Sequence, residues 1–358
     1  MTKRVMCGDV QIGGGAPVSI QSMCNTDTYD IKATTDQVIR LADAGCEIVR
    51  ITVPKVDAAE AFGTVKKNVR AAGYNIPFVA DIHFDYRCAL AAIENGADKI
   101  RINPGNIGSA DRVLAVVNKA KEYGIPIRIG VNSGSLEKDI IAKNGGVTAE
   151  GLAESAARNI RLLEDMDFDD IVVSLKSSDI VMNYKAHKLI SAMTDHPLHI
   201  GLTEAGTPEI GMRKSAIALG ALLLEGIGDT MRISLTGDPV PEVIFAKELL
   251  KDIGLRKGGI KFVSCPTCGR TKVNLPAIAE EVEHALREVG ERRDRSGKRP
   301  ITVAVMGCAV NGPGEAREAD LGAACGEGKA VIFAKGEIIK TVKEEELASC
   351  IIELAENI

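Results

Sequence analysis

The chain has 358 residues, 45% of them hydrophobic and 26% charged, which suits a folded protein of two domains or of one large barrel with an appendage. A formal net charge of −5, aromatics at 3% and no tryptophan argue against a nucleic-acid platform, which needs a basic excess and exposed rings. The most apolar stretch, 216–224, is too short to span a bilayer, and Cys7-Gly8-Asp9 interrupts the apolar core of any signal peptide. The expected setting is therefore the cytoplasm, without membrane association, where nine cysteines read as reduced thiols or metal ligands rather than disulfides.

Eight short β-branched runs follow one another at 18–21, 47–52, 77–81, 99–103, 125–130, 170–175, 198–203 and 230–235. Segments of helical periodicity lie between them, among them 35–44, 58–71, 111–123 and 150–165. Eight βα units over about 255 residues predict a (β/α)8 barrel of the TIM type. A doubly wound sheet would have fewer strands and a dinucleotide fingerprint, which this chain lacks. Beyond Leu255 the pattern changes, and Gly258-Gly259 divides the chain into a barrel at 1–257 and a smaller α/β domain at 258–358. In the second domain a helix is expected at 277–289, and the charge run 291–299 reads as a solvated loop. Strands follow at 301–305 and 330–334, then a hairpin turn at Lys335-Gly336 into 337–342 and a closing helix from Glu344.

Polar residues interrupt the barrel strands at regular places. Arg50, Arg101, Arg128 and Arg232 each sit between two apolar neighbours. The strand period of two puts those neighbours toward the helices and the arginines into the lumen, near the strand ends where barrel sites lie. Lys176 follows the sixth strand, Asp81 and His83 the third, and Glu204 and Ser234 the seventh and eighth, while Asn103 and Asn132 add amides. Asp81 and Glu204 are too few to offset the cations, and clustered guanidinium groups without compensation cost several kcal/mol each. A polyanionic ligand resolves that conflict, because arginine forks match phosphate oxygens.

Cys265-Pro-Thr-Cys268 can hold one metal or one cluster edge, and the chain has no second such pair to complete a zinc ribbon. Cys308 lies in Met306-Gly-Cys-Ala-Val-Asn-Gly-Pro-Gly-Glu315, whose glycines let backbone wrap a bulky group. A fourth ligand would be Cys325, by thiolate preference, or an oxygen donor such as Glu315. The remaining cysteines read as small hydrophobes.

These motifs together resemble one family, the 4-hydroxy-3-methylbut-2-en-1-yl diphosphate synthases of the methylerythritol phosphate route to isoprenoids. The likeness rests on Val79-Ala-Asp-Ile-His-Phe-Asp85, Lys99-Ile-Arg-Ile-Asn-Pro-Gly-Asn-Ile-Gly108, Ile127-Arg-Ile-Gly-Val-Asn132, Ser174-Leu-Lys176 and Thr203-Glu-Ala-Gly206. It continues through Arg232-Ile-Ser-Leu-Thr236, Ser264-Cys-Pro-Thr-Cys-Gly-Arg-Thr271 and the Cys308 segment, and so covers essentially the whole chain in its compact bacterial form. The resemblance implies reductive ring opening of 2-C-methyl-D-erythritol 2,4-cyclodiphosphate with loss of water. It implies a [4Fe-4S] cluster on Cys265, Cys268, Cys308 and Glu315, a diphosphate gripped by Arg50, His83, Arg101, Arg128, Lys176 and Arg232 with Asn132 and Ser234, and proton handling by Glu204. It further implies a homodimer fed by flavodoxin or ferredoxin, since the chain carries no flavin or nicotinamide motif. The family often has Gly where this chain has Cys325, which favours Glu315 as fourth ligand. An iron–sulfur sensor or zinc-binding module would leave the arginines unexplained, and a pterin-type barrel transferase would leave the cysteines idle.

Overall fold

The computed structural model describes residues 1–308, 318–326 and 328–358. The chain forms two compact units, Met1–Arg256 and Lys257–Ile358.

The first unit begins with a hairpin, β1 (Val5–Cys7) and β2 (Val10–Ile12), turned at Gly8, whose φ of 54° suits glycine. Eight parallel strands follow: β3 (Ser19–Met23), β4 (Ile48–Thr52), β5 (Phe78–Asp81), β6 (Lys99–Ile102), β7 (Ile127–Asn132), β8 (Ile171–Lys176), β9 (His199–Gly201) and β10 (Thr230–Arg232). They pair in the order β8-β7-β6-β5-β4-β3-β10-β9, and a bridge between Val173 and Leu198 joins the two ends into a barrel. All eight predicted strands are present. The predicted run at 125–130 starts late because Ile125 N–H donates to Ala120 O and closes the preceding helix, which ends on left-handed Gly124. Strands β9 and β10 stop early, and the residues that follow bend into the loops carrying Thr203 and Ser234.

The helices lie where apolar periodicity sets them. Ile31–Ala44 starts on Asp30, whose carboxylate accepts from Ala33 N–H, and Ala149–Glu164 starts on Thr148. Their buried faces pack Val38, Leu41, Leu152 and Leu163 against outward strand residues such as Val49, Ile100 and Val173. The hairpin, which the eight-strand pattern does not foretell, covers the N-terminal end of the barrel. Its Val5, Cys7 and Ile12 pack on the inward residues Ile48, Val79 and Val172.

The second unit is a five-stranded sheet in the order β11 (Ile260–Ser264), β12 (Ile301–Met306), β13 (Leu321–Gly326), β14 (Lys329–Ala334) and β15 (Glu337–Lys343). The first three strands run parallel, and Lys335-Gly336, both at positive φ, turn β14 into β15 as the sequence predicts. Helices Leu275–Arg295 and Leu347–Asn357 cover one face through Val282, Leu286 and Ile351. The charge run is not wholly a loop, since residues 291–295 extend the helix. Arg and Glu are good helix formers, and the i,i+4 pairs Glu288–Arg292 and Glu291–Arg295 support that last turn. No helix among the described residues is long and apolar enough to cross a membrane.

Candidate active site

At the C-terminal end of the barrel strands, a cavity of about 220 Å³ is lined by five cationic side chains, Arg50, Arg101, Arg128, Lys176 and Arg232. His83, Asn132 and Ser234 line it too, so eight residues expected from sequence converge on one space. The cause is the strand period: Val49 and Ile51, Ile100 and Ile102, and Ile127 and Ile129 pack outward, which turns the arginine between each pair inward. Room for the long side chains comes from two lumen glycines. A Cβ on Gly130 would lie 2.8 Å from Arg101 Nη2, and one on Gly201 would lie 3.0 Å from Lys176 Nζ.

Asp81 is the acidic centre of this well. Its carboxylate lies 3.4 Å from Arg101 Nη1, 3.9 Å from Arg50 Nε and 3.8 Å from His83 Nε2. Burial would raise the Asp81 carboxyl, but Arg50, Arg101 and His83 outweigh it and hold it at about 2. Burial draws Arg50 down to about 10 and Lys176 well below the ordinary lysine range, with neighbouring arginines adding to both. Arg50 therefore stays charged at neutral pH. Arg128 is 1% exposed, and its Nε and Nη1 have no hydrogen-bond partner among the described residues. A buried cation in that state calls for an anion, because an unpaired charge costs far more than a paired one. With its amide oriented as its neighbours favour, Asn132 Oδ1 accepts from Arg101 Nη2 at 3.1 Å.

Two expected polar groups lie elsewhere. Glu204 is exposed on the loop after β9, at φ 52°, and does not line the cavity. Asn103 accepts from Gly105 N–H at 3.1 Å and so caps the short helix Pro104–Ile107. Sequence reasoning passed over Met23, Ser174, Leu202 and Thr203 as lining residues. It also passed over Glu242, the carboxylate that pairs with Arg232 at 3.2 Å. A glycine at an inward strand position, as at Gly130, was the available signal that something large sits opposite.

In the second unit β11 and β12 are parallel neighbours in register, Ser264 beside Val305, so the residues after them leave at the same end of the sheet. Cys265 follows β11, and Cys308 comes two residues after β12. Gly307 N–H donates to Cys265 Sγ at 3.3 Å, and a Cβ on Gly307 would lie 2.9 Å from Leu275 and 3.0 Å from Thr271, so only glycine lets the two loops meet this closely. Cys268 is exposed, and hydrogen bonds from Arg270 lower its thiol below the usual range, which favours thiolate. These three sulfurs offer donors of the kind a soft metal or an iron–sulfur cluster takes. Glu315 lies outside the described residues. Cys325 is fully buried among Val305, Ala323 and Ile332, and burial pushes its thiol up to about 11, as for a core residue.

A (β/α)8 barrel with a cation-rich well at its open end, joined in one chain to an α/β unit whose Cys265 and Cys308 follow neighbouring parallel strands, defines a class of two-unit barrel proteins. Residues 2–247 match the GcpE TIM-barrel domain and residues 261–357 the GcpE protein C-terminal domain; the chain belongs to the GcpE family. It is 55% identical over 357 residues to a 4-hydroxy-3-methylbut-2-en-1-yl diphosphate synthase (flavodoxin) of Clostridium perfringens, covering 100% of this chain and 99% of that one. The synthase of the same name from Caldanaerobacter subterraneus is 54% identical, over 97% and 94% of the two chains. Among solved structures, a type I 3-dehydroquinate dehydratase from Clostridium difficile superposes with a TM-score of 0.52 at 15% identity, over 71% of this chain and 98% of that one. A dihydropteroate synthase from Xanthomonas albilineans gives 0.50 at 15% identity, over 71% and 98%. Those two likenesses concern the barrel fold alone.

Proposed function

We propose that this chain is the 4-hydroxy-3-methylbut-2-en-1-yl diphosphate synthase of its cell, opening the ring of 2-C-methyl-D-erythritol 2,4-cyclodiphosphate with two electrons and the loss of one water. The observation that carries the reading is the well itself, five cations around one cavity with Asp81 as its lining carboxylate. Arg50, Arg101, Arg128, Lys176 and Arg232 hold the diphosphate, His83, Asn132 and Ser234 complete its hydrogen bonds, and charge growing on it as the carbon–oxygen bond breaks is stabilised by groups already in place. Glu204, on its exposed loop, is the residue we assign to proton handling. Cys265, Cys268, Cys308 and Glu315 hold a [4Fe-4S] cluster that, when bound, supplies electrons and a Lewis-acidic iron. Flavodoxin is the reductant we assign, because the curated relatives carry it in their names.

The working form is a cytoplasmic homodimer. Three consecutive barrel helices, Ile180–Ser191, Pro208–Leu224 and Val240–Asp252, present Val181, Leu189, Ile210, Ile217, Leu224 and Ile244 outward, with Leu224 at 72% exposure. Helices apolar on their solvent side are ordinarily covered, and a second copy supplies the same surface in return. Anaerobic turnover of the cyclic diphosphate with a chemical reductant tests the assignment. Product is expected from the reconstituted chain and is lost with Arg50→Ala; no turnover by cluster-loaded protein would overturn it.

A further inference from the structure

Glu242 lies in the first turn of the helix Val240–Asp252, is 2% exposed and does not line the cavity, yet its two oxygens reach three elements of the well. Oε2 accepts from Ser22 Oγ on β3 at 3.0 Å and from Arg232 Nε at 3.2 Å. Oε1 accepts from Arg232 Nη2 at 3.2 Å and from the Leu235 backbone N–H at 2.9 Å. A buried carboxylate holding four donors is fully satisfied and has no freedom to rotate. The guanidinium is therefore gripped as a fork by two of its nitrogens, while the third, Nη1, remains on the side of Met23 Sδ, a residue of the cavity wall. The bond to Leu235 N–H also pins the loop one residue beyond Ser234.

We propose that Glu242 is a positioning residue for phosphate recognition, setting the aim of Arg232. This rests on the well being the diphosphate site. A carboxylate in a first helical turn also favours the helix dipole, and on that account alone Glu242 would serve only stability. The two roles differ in what they predict. Losing a merely stabilising acid lowers the melting temperature whether or not Arg232 is present. Losing a positioning acid lowers substrate affinity, and does so only while Arg232 is there to be positioned.

The test is a double-mutant cycle of Glu242→Gln and Arg232→Ala, read by calorimetric binding of the cyclic diphosphate, by inorganic pyrophosphate as a smaller probe, and by KM and kcat. Glutamine keeps the volume and one acceptor, and Glu242→Asp keeps the charge on a shorter arm should the amide variant not fold. Each single variant is expected to weaken binding about tenfold or more, the low end for disturbing a buried charge pair, with the larger share in KM. On the Arg232→Ala background Glu242→Gln should add less than about twofold. If wild type binds the cyclic diphosphate and folded Glu242→Gln binds it equally well, or if the two losses simply add, the positioning role is overturned alone. If wild type itself binds neither probe, it falls together with the reading of the well.

Discussion

Gly130 offers a sharp probe of the well, because the backbone there is ordinary strand and alanine fits it without strain. The added methyl would press directly on Arg101 Nε and lie 2.8 Å from its Nη2 and 2.9 Å from its Cζ. Such contacts relax near about 3.5 Å, so the guanidinium must shift by roughly 1 Å or more. That shift separates Arg101 from Asp81 and Asn132, its partners at 3.4 and 3.1 Å. A hydrogen bond to a charged group is worth about 1.5–3 kcal/mol, so Gly130→Ala should weaken cyclic diphosphate binding by about 10- to 150-fold. Calorimetric titration, with a thermal melt of the same sample, measures this. The melt should fall by less than that of Asp81→Asn, because Asp81 keeps Arg50 and His83 when Arg101 moves. Adding Arg101→Ala should cost Gly130→Ala nothing further beyond the loss from Arg101→Ala itself. A folded Gly130→Ala protein that binds within about twofold of wild type would refute the packing argument.

Cys325→Ser should keep the cluster absorbance and most of the activity, whereas Cys265→Ser should lose iron; iron counts after anaerobic reconstitution decide between them. Glu315→Ala should hold at best a labile cluster and lose turnover, and normal turnover would assign the fourth ligand elsewhere. Asp81, held at about 2 in the fold against an ordinary 3.8, contributes stability that is present above about pH 4 and lost as pH falls through about 2. Asp81→Asn should therefore melt well below wild type at pH 7, with the gap closing between about pH 4 and 2; a gap constant with pH would contradict the ion-pair account. Mixing Cys265→Ser with Arg232→Ala should restore activity if the dimer joins one chain's cluster to the other's well, and verified heterodimers without activity would place both in one chain.

Much of the barrel was legible because its strands are written twice, in β-branched content and in alternation. Arg101 between Ile100 and Ile102 announces both a strand and an inward cation. The hairpin β1–β2 escaped because three-residue strands carry no period to read. Strand β13 escaped because Leu-Gly-Ala-Ala-Cys-Gly is poor in β-branched residues and is a strand by virtue of its neighbours β12 and β14. Within the site, the cations were readable from position alone, but their balance was not. Of the two acids expected near them, Asp81 meets Arg50 and Arg101 while Glu204 stays exposed, and the acid that meets Arg232 comes from ten residues further along the chain, on a helix. Contacts across a fold are not encoded by spacing.

The hairpin over the N-terminal end has a consequence for traffic. With Val5, Cys7 and Ile12 seated on Ile48, Val79 and Val172, the barrel is a blind well rather than a tunnel. On the proposed reading, in which Arg128 grips the diphosphate, the substrate enters with that group first and its carbon skeleton toward the mouth. Product then departs by the route its precursor came in, so substrate and product compete for one doorway. Product accumulation should accordingly slow turnover by simple competition.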